Sequence, residues 1–279
     1  MRSRLRPGLH VAATPIGNLG DVSTRLKQAL EDADRILCED TRVTGKLLSV
    51  LGIAKPPLTA YHEHNAETVR PIVLEALKQG AAIVLVSDAG TPLISDPGYK
   101  IVREARDLGI PVMAIPGPSA LTAALSIAGA PTDRFTFIGF LPKGPGQKAA
   151  ALTALADRSE TLVAYETGPR LASTLAAIHE ALGNRTVSVA RELTKLHEEV
   201  IEGDAAALSA QFSEAAPKGE IVLVIHPGGQ EAPDLDTVLA QLLETHSVRE
   251  ASKQAAALTG LPKKACYARA LELANAAAR

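Results

Sequence analysis

Tryptophan is absent from this chain, and phenylalanine and tyrosine supply four residues each out of 279. So thin a stock of aromatics argues against a base-stacking platform of the kind that grips single-stranded nucleic acid. Cysteine is almost absent as well. Cys38 and Cys266 lie far apart and make no disulfide framework, which points to a reducing compartment, the cytoplasm. No apolar run reaches the length that crosses a bilayer. The basic opening, Met1 to Arg6, runs into Pro7-Gly8 rather than an apolar stretch, so it does not read as a secretory signal. Excess charge is lacking too: the net is −2 and the pI about 6.4, which excludes a globally basic coat for nucleic acid but leaves room for a local patch. What is present is ordinary globular material, 46% hydrophobic and 22% charged, in a chain long enough for two domains.

The chain is organised around Val86-Ser-Asp-Ala-Gly-Thr-Pro-Leu-Ile-Ser-Asp-Pro-Gly98. It follows the apolar run Ala82 to Val86, a buried strand by its pattern, and precedes Tyr99 to Leu108, which has helical periodicity. That makes it a loop at the carboxyl end of a strand, where open α/β sheets hold their ligands. Two similar loops occur. Leu9 to Ala13 reads as a strand leading into Thr14-Pro-Ile-Gly-Asn-Leu-Gly-Asp21, and Pro111 to Ile115 leads into Pro116-Gly-Pro-Ser-Ala120 before an apolar helix. Glycines, prolines and short hydroxyls at three strand ends, each opening a helix, offer backbone and side-chain hydrogen-bonding groups to one ligand. The first loop is not G-x-G-x-x-G, so a dinucleotide fold is disfavoured.

Charge gathers at two further strand ends. Arg35 to Cys38 ends in Glu39-Asp40-Thr41-Arg42, where Asp40 or Thr41 also suits a helix cap. Leu58 to Tyr61 ends in His62-Glu-His-Asn65. Two histidines at i, i+2 invite a metal, but no third and fourth ligand stands near them, and a polar loop lining a site is the better reading.

Gly129 to Asp133 reads as a junction. The expected domains are residues 1–129, an α/β unit carrying the ligand loops, and 130–228, a second α/β unit on its own sheet. The segment Leu141-Pro-Lys-Gly-Pro-Gly-Gln-Lys148 reads as a mobile basic loop able to touch phosphate. After a Pro, Gly and acid-rich linker, Pro227 to Asp236, residues 236–279 turn helical. From Ser247 onward they carry six Lys/Arg against two Glu, a net +4, with a capping box at Ser247-Val-Arg-Glu250 and a stop-and-start at Thr259-Gly-Leu-Pro262. A basic helix-turn-helix fits this tail, and so does a plain solvated appendage.

Taken together and in order, these motifs closely resemble the ribosomal RNA small-subunit ribose 2′-O-methyltransferases of the tetrapyrrole methylase superfamily. The set is the Thr14 to Asp21 loop, Cys38 to Arg42, Tyr61 to Asn65, Ser87 to Pro92 with Ile94 to Gly98, Pro116 to Ala120, and Arg191-Glu-Leu-Thr-Lys-Leu-His-Glu198. The resemblance covers Leu9 to Ile225 and extends to the helical tail. It implies an α/β fold of two domains with S-adenosylmethionine in the cleft between them, no metal, a homodimer, and as substrate the 2′-hydroxyl of a decoding-centre cytidine in 16S rRNA, presented as RNA or as the small subunit. It implies cofactor contacts at Pro15, Ala89, Gly90, Thr91, Ile94, Ser119, Ala120, Tyr165, Glu166 and Leu193. Thr91 replaces the superfamily aspartate, with Asp88 three residues earlier, so either carries the polar contact. Methylation of a tetrapyrrole carbon, or RNA binding without catalysis, are the other functions such a chain could serve.

The chemistry leads to further expectations. A ribose hydroxyl attacks well only as its proton leaves, so positioning and a general base near neutral pH are needed. Histidine matches that range unperturbed. The expected catalytic set is therefore His62 or His64 as base, Asp40 or Glu63 as its orienter and Arg42 as a phosphate clamp, with Glu192 and Lys195 as the second choice. RNA contacts are expected from Arg42, Lys143, Lys148, Arg170 and Lys195 around the cleft, and from Lys263, Lys264 and Arg269 on the tail.

Overall fold

A computed structural model describes residues 5–54, 56–96, 98–228, 235–259 and 261–277. Parts of the sequence expectations therefore lie outside the described residues: most of the basic opening, Pro97 of the 86–98 loop, most of the 227–236 linker, the glycine of the 259–262 helix stop and the last two residues of the tail.

The first half alternates strand and helix. It runs β1 (Gly8–Ala12), α1 (Thr24–Asp32), β2 (Arg35–Cys38), α2 (Thr41–Val50), β3 (Leu58–Ala60), α3 (Ala66–Lys78), β4 (Ala82–Leu85), α4 (Tyr99–Asp107), β5 (Val112–Ile115) and α5 (Ala120–Ile127). The strands form one all-parallel sheet in the order β3-β2-β4-β1-β5. Its central strands are apolar on both faces, as a sheet covered by helices on both sides requires. Period-two alternation splits each strand between two cores. Ile36, Cys38 and Val84 pack with Leu26, Leu30 and Leu48 of α1 and α2, whereas Leu37, Ile83 and Leu85 pack with Val73, Leu77 and Ile101 of α3 and α4. Helix starts follow capping chemistry: Ser23 Oγ accepts from Leu26 N at 3.0 Å and Asp40 Oδ1 from Arg42 N at 2.8 Å.

This strand order fixes where a ligand can sit. From β1 the chain crosses to β2 on one side, and from the adjacent β4 it crosses to β5 on the other. The direction of crossover thus reverses at β1 and β4, and the carboxyl edge beyond such a point is the usual ligand position of an open α/β sheet.

The second half adds β6 (Phe135–Phe140), α6 (Pro145–Thr153), β7 (Thr161–Thr167), α7 (Gly168–Leu182), β8 (Thr186–Arg191), β9 (Glu199–Asp204), α8 (Ala205–Glu214) and β10 (Glu220–Ile225). These strands make a separate mixed sheet, β6-β7-β10-β8-β9, antiparallel except for β6 with β7. One face packs Leu162, Leu223 and Val189 against α7 and α8. The other packs Val163, Ala190, Val222 and Val224 against Ala124, Leu125 and Ala128, from α5 and its end, and against Ile16 of the first loop. Helix α5 thus joins the two sheets, and residues 1–227 form one compact unit.

The tail, from Gly228 on, is a unit of its own. Helices α9 (Leu235–Leu243), α10 (Val248–Thr259) and α11 (Lys263–Ala277) bury Leu239, Ala251, Ala255, Cys266 and Ala270 between them. Ser247 Oγ accepts from Glu250 N at 3.3 Å, one half of the capping box.

Candidate functional site: a cleft between the two sheets

Three loops meet at the carboxyl edge of the parallel sheet and are tied to each other by hydrogen bonds. Thr14 N donates to Gly90 O at 2.9 Å, and Gly90 N donates back to Thr14 O at 3.1 Å. The Thr14 hydroxyl donates to Ser87 O at 3.2 Å, and the Thr91 hydroxyl to Pro118 O at 3.0 Å. Two glycines are required by this closeness. Gly90 has φ +80° and a Cβ there would stand 3.2 Å from Ile16 Cγ2; at Gly117 a Cβ would stand 3.1 Å from that of Ala13.

The tied loops form one wall of a cleft of about 310 Å³. Ile16, Ala89, Gly90, Thr91, Ile94, Ser119 and Ala120 come from the first half. Phe140, Tyr165, Glu166, Leu193, Ile221 and Val222 come from the second. The walls are largely apolar. The polar groups are the first-turn amides of α5, with Ser119 at its N-cap, the hydroxyls of Thr91, Ser95 and Thr167, and the carboxylates of Asp96, Glu166 and Glu220. Such a mixture of apolar wall and a few convergent donors is that of a small-molecule site. Among the described residues, no group of three or more His, Cys, Asp or Glu is arranged to hold a metal.

Ala89, Gly90, Thr91, Ile94, Ser119, Ala120, Tyr165, Glu166 and Leu193 all line this cleft. Pro15 and Asp88 line a neighbouring groove of about 380 Å³ instead. Asp88 is exposed and its Oδ1 accepts from Asp40 N at 3.1 Å, so of the two alternatives it is Thr91 that stands in the cleft.

The second half of this unit supplies a buried electrostatic cluster. Glu166, 2% exposed, accepts from Thr167 N at 2.8 Å and from the Thr174 hydroxyl at 2.6 Å, and Arg170 Nε lies 3.3 Å from its Oε1. Lys148 Nζ donates to Thr174 Oγ1 at 2.8 Å. Burial pushes the Lys148 ammonium below its ordinary value, with Glu166 pulling the other way. Tyr165 stands edge-on to Phe137 and Phe140, at centroid distances of 4.9 and 5.5 Å. Burial raises its phenol, while the Leu121 amide and Ser119 hydroxyl act in the opposite sense.

Several expected roles need correction. Lys148 is not on a mobile basic loop: it lies in α6, 5% exposed, where its charge answers Glu166 rather than a phosphate. Arg170 is bound inward, donating to Leu141 O at 2.6 Å as well as facing Glu166. Arg269 grips both oxygens of Asp236 and also meets Glu272. Lys195 Nζ lies between Glu192 at 3.0 Å and Glu220 at 3.3 Å, its stem packed on Gly17. Lys143, Lys263 and Lys264 are exposed, as is Arg42, although its guanidinium is held by Asp40.

The proposed catalytic histidines also stand apart. Neither His62, His64, Asp40 nor Arg42 lines the cleft. Asp40 caps α2 and pairs with Arg42, which brings its carboxyl down to about 2, and both of its oxygens are taken up by Arg42 rather than by a histidine. The sequence reading missed Asp96, Phe140, Ile221 and Val222. Ile221 and Val222 sit in a strand whose apolar run reads as core, and only the packing of two sheets reveals that its end borders the cleft. Asp96 lay within a quoted motif and is the more accessible omission.

Comparison with known proteins agrees with this architecture. Residues 8–209 match the model of the Tetrapyrrole (Corrin/Porphyrin) Methylases, and residues 229–274 that of the RsmI C-terminal HTH domain. Solved structures with the same fold include a uroporphyrin-III C-methyltransferase from Thermus thermophilus complexed with S-adenyl homocysteine (TM-score 0.53, 20% identity, 79% of this chain and 97% of that one). Diphthine synthase aligns with TM-score 0.58 at 15% identity, covering 78% and 89%. The fold is thus that of a tetrapyrrole methylase. Full-length relatives narrow this further. Ribosomal RNA small subunit methyltransferase I of Mesorhizobium japonicum is 47% identical over 274 residues, 96% of this chain and 93% of that protein. The protein of that name from Erythrobacter litoralis is 50% identical over 272 residues, 96% of each. The chain belongs to the tetrapyrrole methylase family, in the group formed by these ribosomal RNA small subunit methyltransferases I.

Proposed function

We propose that this protein transfers a methyl group from S-adenosylmethionine to the ribose 2′-hydroxyl of a decoding-centre cytidine in 16S rRNA. The observation that carries the reading is the cleft at the switch point, with apolar walls and α5 amides at one end. The ribosomal half is supported by the name shared by full-length relatives.

The residues present suit the cofactor. Gly90 leaves open a position that a side chain would fill, Thr91 and the first turn of α5 offer donors and acceptors for an amino acid, and Ile94, Leu193 and Val222 offer apolar contact for a nucleoside. When bound, S-adenosylmethionine supplies a methyl group made electrophilic by the sulfonium. The protein's part is to hold that group and the ribose in line and to keep water away. Calorimetry tests the assignment: S-adenosylhomocysteine should bind without added metal, and tighter binding of ATP or NAD would overturn it.

RNA recognition falls to exposed cations, Lys143 near the cleft and Lys263 and Lys264 on the tail. Removing residues 235–279 should weaken RNA binding at least tenfold and leave S-adenosylhomocysteine affinity within twofold, measured by filter binding and calorimetry. In the full chain, each of Lys263→Ala and Lys264→Ala that removes a phosphate contact should lower the salt slope by ~0.7–0.9. A second copy of the chain is part of this reading. Leu19, Val43 and Val50, 42–56% exposed along the second groove, offer it an apolar surface, and light scattering should give twice the chain mass.

A further inference from the structure

Strand β6 carries a bulge that changes which side chains reach the cleft. Phe137 pairs with Val163 but Gly139 pairs with Ala164, so β6 sets two residues against one of β7. Gly139 takes the bend with φ +64°, and a Cβ there would lie 3.3 Å from Ser95 Oγ of the central loop. Without the extra residue, Phe137 and Phe140 would point to opposite faces, because side chains alternate along a strand. With it, Ile138 joins the core under α7 and α8, and both phenylalanines stand against Tyr165, at centroid distances of 4.9 and 5.5 Å.

Phe140 is brought to the cleft but not covered there. It lines the cleft and is 53% exposed, while Tyr165, the other aromatic of the lining, is half-buried. The turn that follows is braced and ends in a cation. Arg170 Nη2 donates to Leu141 O at 2.6 Å and to Pro142 O at 3.2 Å, and Glu166 Oε1 lies 3.3 Å from the Nε of the same guanidinium. Lys143 comes next, exposed and without an ion pair among the described residues. An open aromatic ring and an uncommitted cation thus share one fixed turn at the edge of the cleft.

We infer that Phe140 stacks on the base of the nucleotide that accepts the methyl group, and that Lys143 meets a phosphate beside it. This rests on the reading of the cleft as the site of ribose methylation. A ring face and a cation on one turn answer the two parts of a nucleotide that flank its ribose, the base and the phosphate. The chain has too few aromatics to grip a run of bases, but a single acceptor nucleotide needs a single ring. Stacking holds a base by its face without reading its edge. Phe140 therefore sets where the ribose stands relative to the methyl group and leaves the choice of cytidine to other contacts.

Three substitutions in the full-length protein test this: Phe140→Ala, Phe140→Leu and Phe140→Tyr. Methyl transfer to small ribosomal subunits that lack the modification is measured beside S-adenosylhomocysteine affinity. The Ala and Leu variants should each lose ~5- to 100-fold in kcat/KM, the range that one base–aromatic stack supplies. The Tyr variant, which keeps the ring, should stay within a few-fold of the parent. All three should bind S-adenosylhomocysteine within twofold of the parent. In RNA binding, Lys143→Ala should lower the salt slope by ~0.7–0.9, whereas Phe140→Ala should weaken affinity and leave the slope unchanged, because a stack releases no counterions. Three results would overturn the assignment. A Leu variant at the parent rate would mean that only apolar bulk is wanted. Cofactor affinity that falls in step with the rate would place the ring over the cofactor instead. A Lys143→Ala slope equal to that of the parent would remove the phosphate contact. A parent that labels a porphyrinogen and no RNA would instead remove the reading of the cleft, before any variant is compared.

Discussion

Gly90→Arg should abolish cofactor binding and leave a folded protein. The position has φ +80°, is buried, and opens directly on the cleft, where a Cβ would already meet Ile16 Cγ2 at 3.2 Å. A guanidinium chain built from there has nowhere to go but the space between Thr91, Ser119 and Val222. Loss of S-adenosylhomocysteine affinity should exceed roughly 100-fold, about 2.7 kcal/mol. Part of any effect will come from backbone strain at a left-handed residue. Gly52→Arg supplies the control, because Gly52 has φ +68° but open space around it. Similar losses of Tm in both variants, with loss of binding in Gly90→Arg alone, would assign the binding defect to the occupied cleft. Equal binding in both would show that the ligand sits elsewhere.

Glu166→Ala should be among the most destabilising single changes around the second sheet. The carboxylate is 2% exposed and is the counter-charge for Lys148, which is 5% exposed, and for Arg170. Removing it takes the opposing charge away from a buried ammonium and strips the Thr174 hydroxyl and Thr167 amide of their acceptor. Breaking a buried pair from one side costs ~3–5 kcal/mol, because the surviving charge keeps its desolvation penalty. Urea unfolding should show that loss with little change in m-value. Lys148 should then shed its proton more readily, since burial would act on it without the opposing pull of Glu166. The double variant Glu166→Leu, Lys148→Met should recover much of the stability, as apolar replacement of a whole buried pair is often neutral. A Glu166→Ala protein as stable as the parent would mean that this cluster is solvated rather than buried.

Much of the fold could be read in the residues because local and global preferences agree. Asp40 caps the helix expected to start beside it, and β2 runs between Arg35 and Cys38, the residues that the apolar pattern marks. The ligand loops were legible because glycine, proline and hydroxyls at a strand's carboxyl end have few other uses. Elements of weaker pattern shifted. Strand β9, Glu199–Asp204, carries only a weak apolar pattern and owes its length to polar ends that pair with β8. Helix α6 begins at Pro145, within the supposed mobile loop, as proline fits the first turn of a helix. Charge misled the reading most. Lysines and arginines look alike in sequence whether they face RNA or a buried glutamate, and Lys148, Arg170 and Arg269 proved to have partners inside the protein. Asp96 was overlooked for the opposite reason: besides Ser87 and Asp88 of its own loop, its environment includes Glu39 from the end of the neighbouring strand β2, which spacing along the chain does not reveal.

Transfer of labelled methyl from S-adenosylmethionine by the full-length protein bears most directly on the proposed reaction. Three acceptors should be offered in parallel: small ribosomal subunits that lack the modification, naked 16S rRNA and a porphyrinogen. Label should appear in RNA, survive alkaline hydrolysis as a 2′-O-methylated cytidine, and disappear in Gly90→Arg. Label in the porphyrinogen and none in either RNA would mean that the cleft serves tetrapyrrole carbon chemistry, and ribose methylation would have to be abandoned.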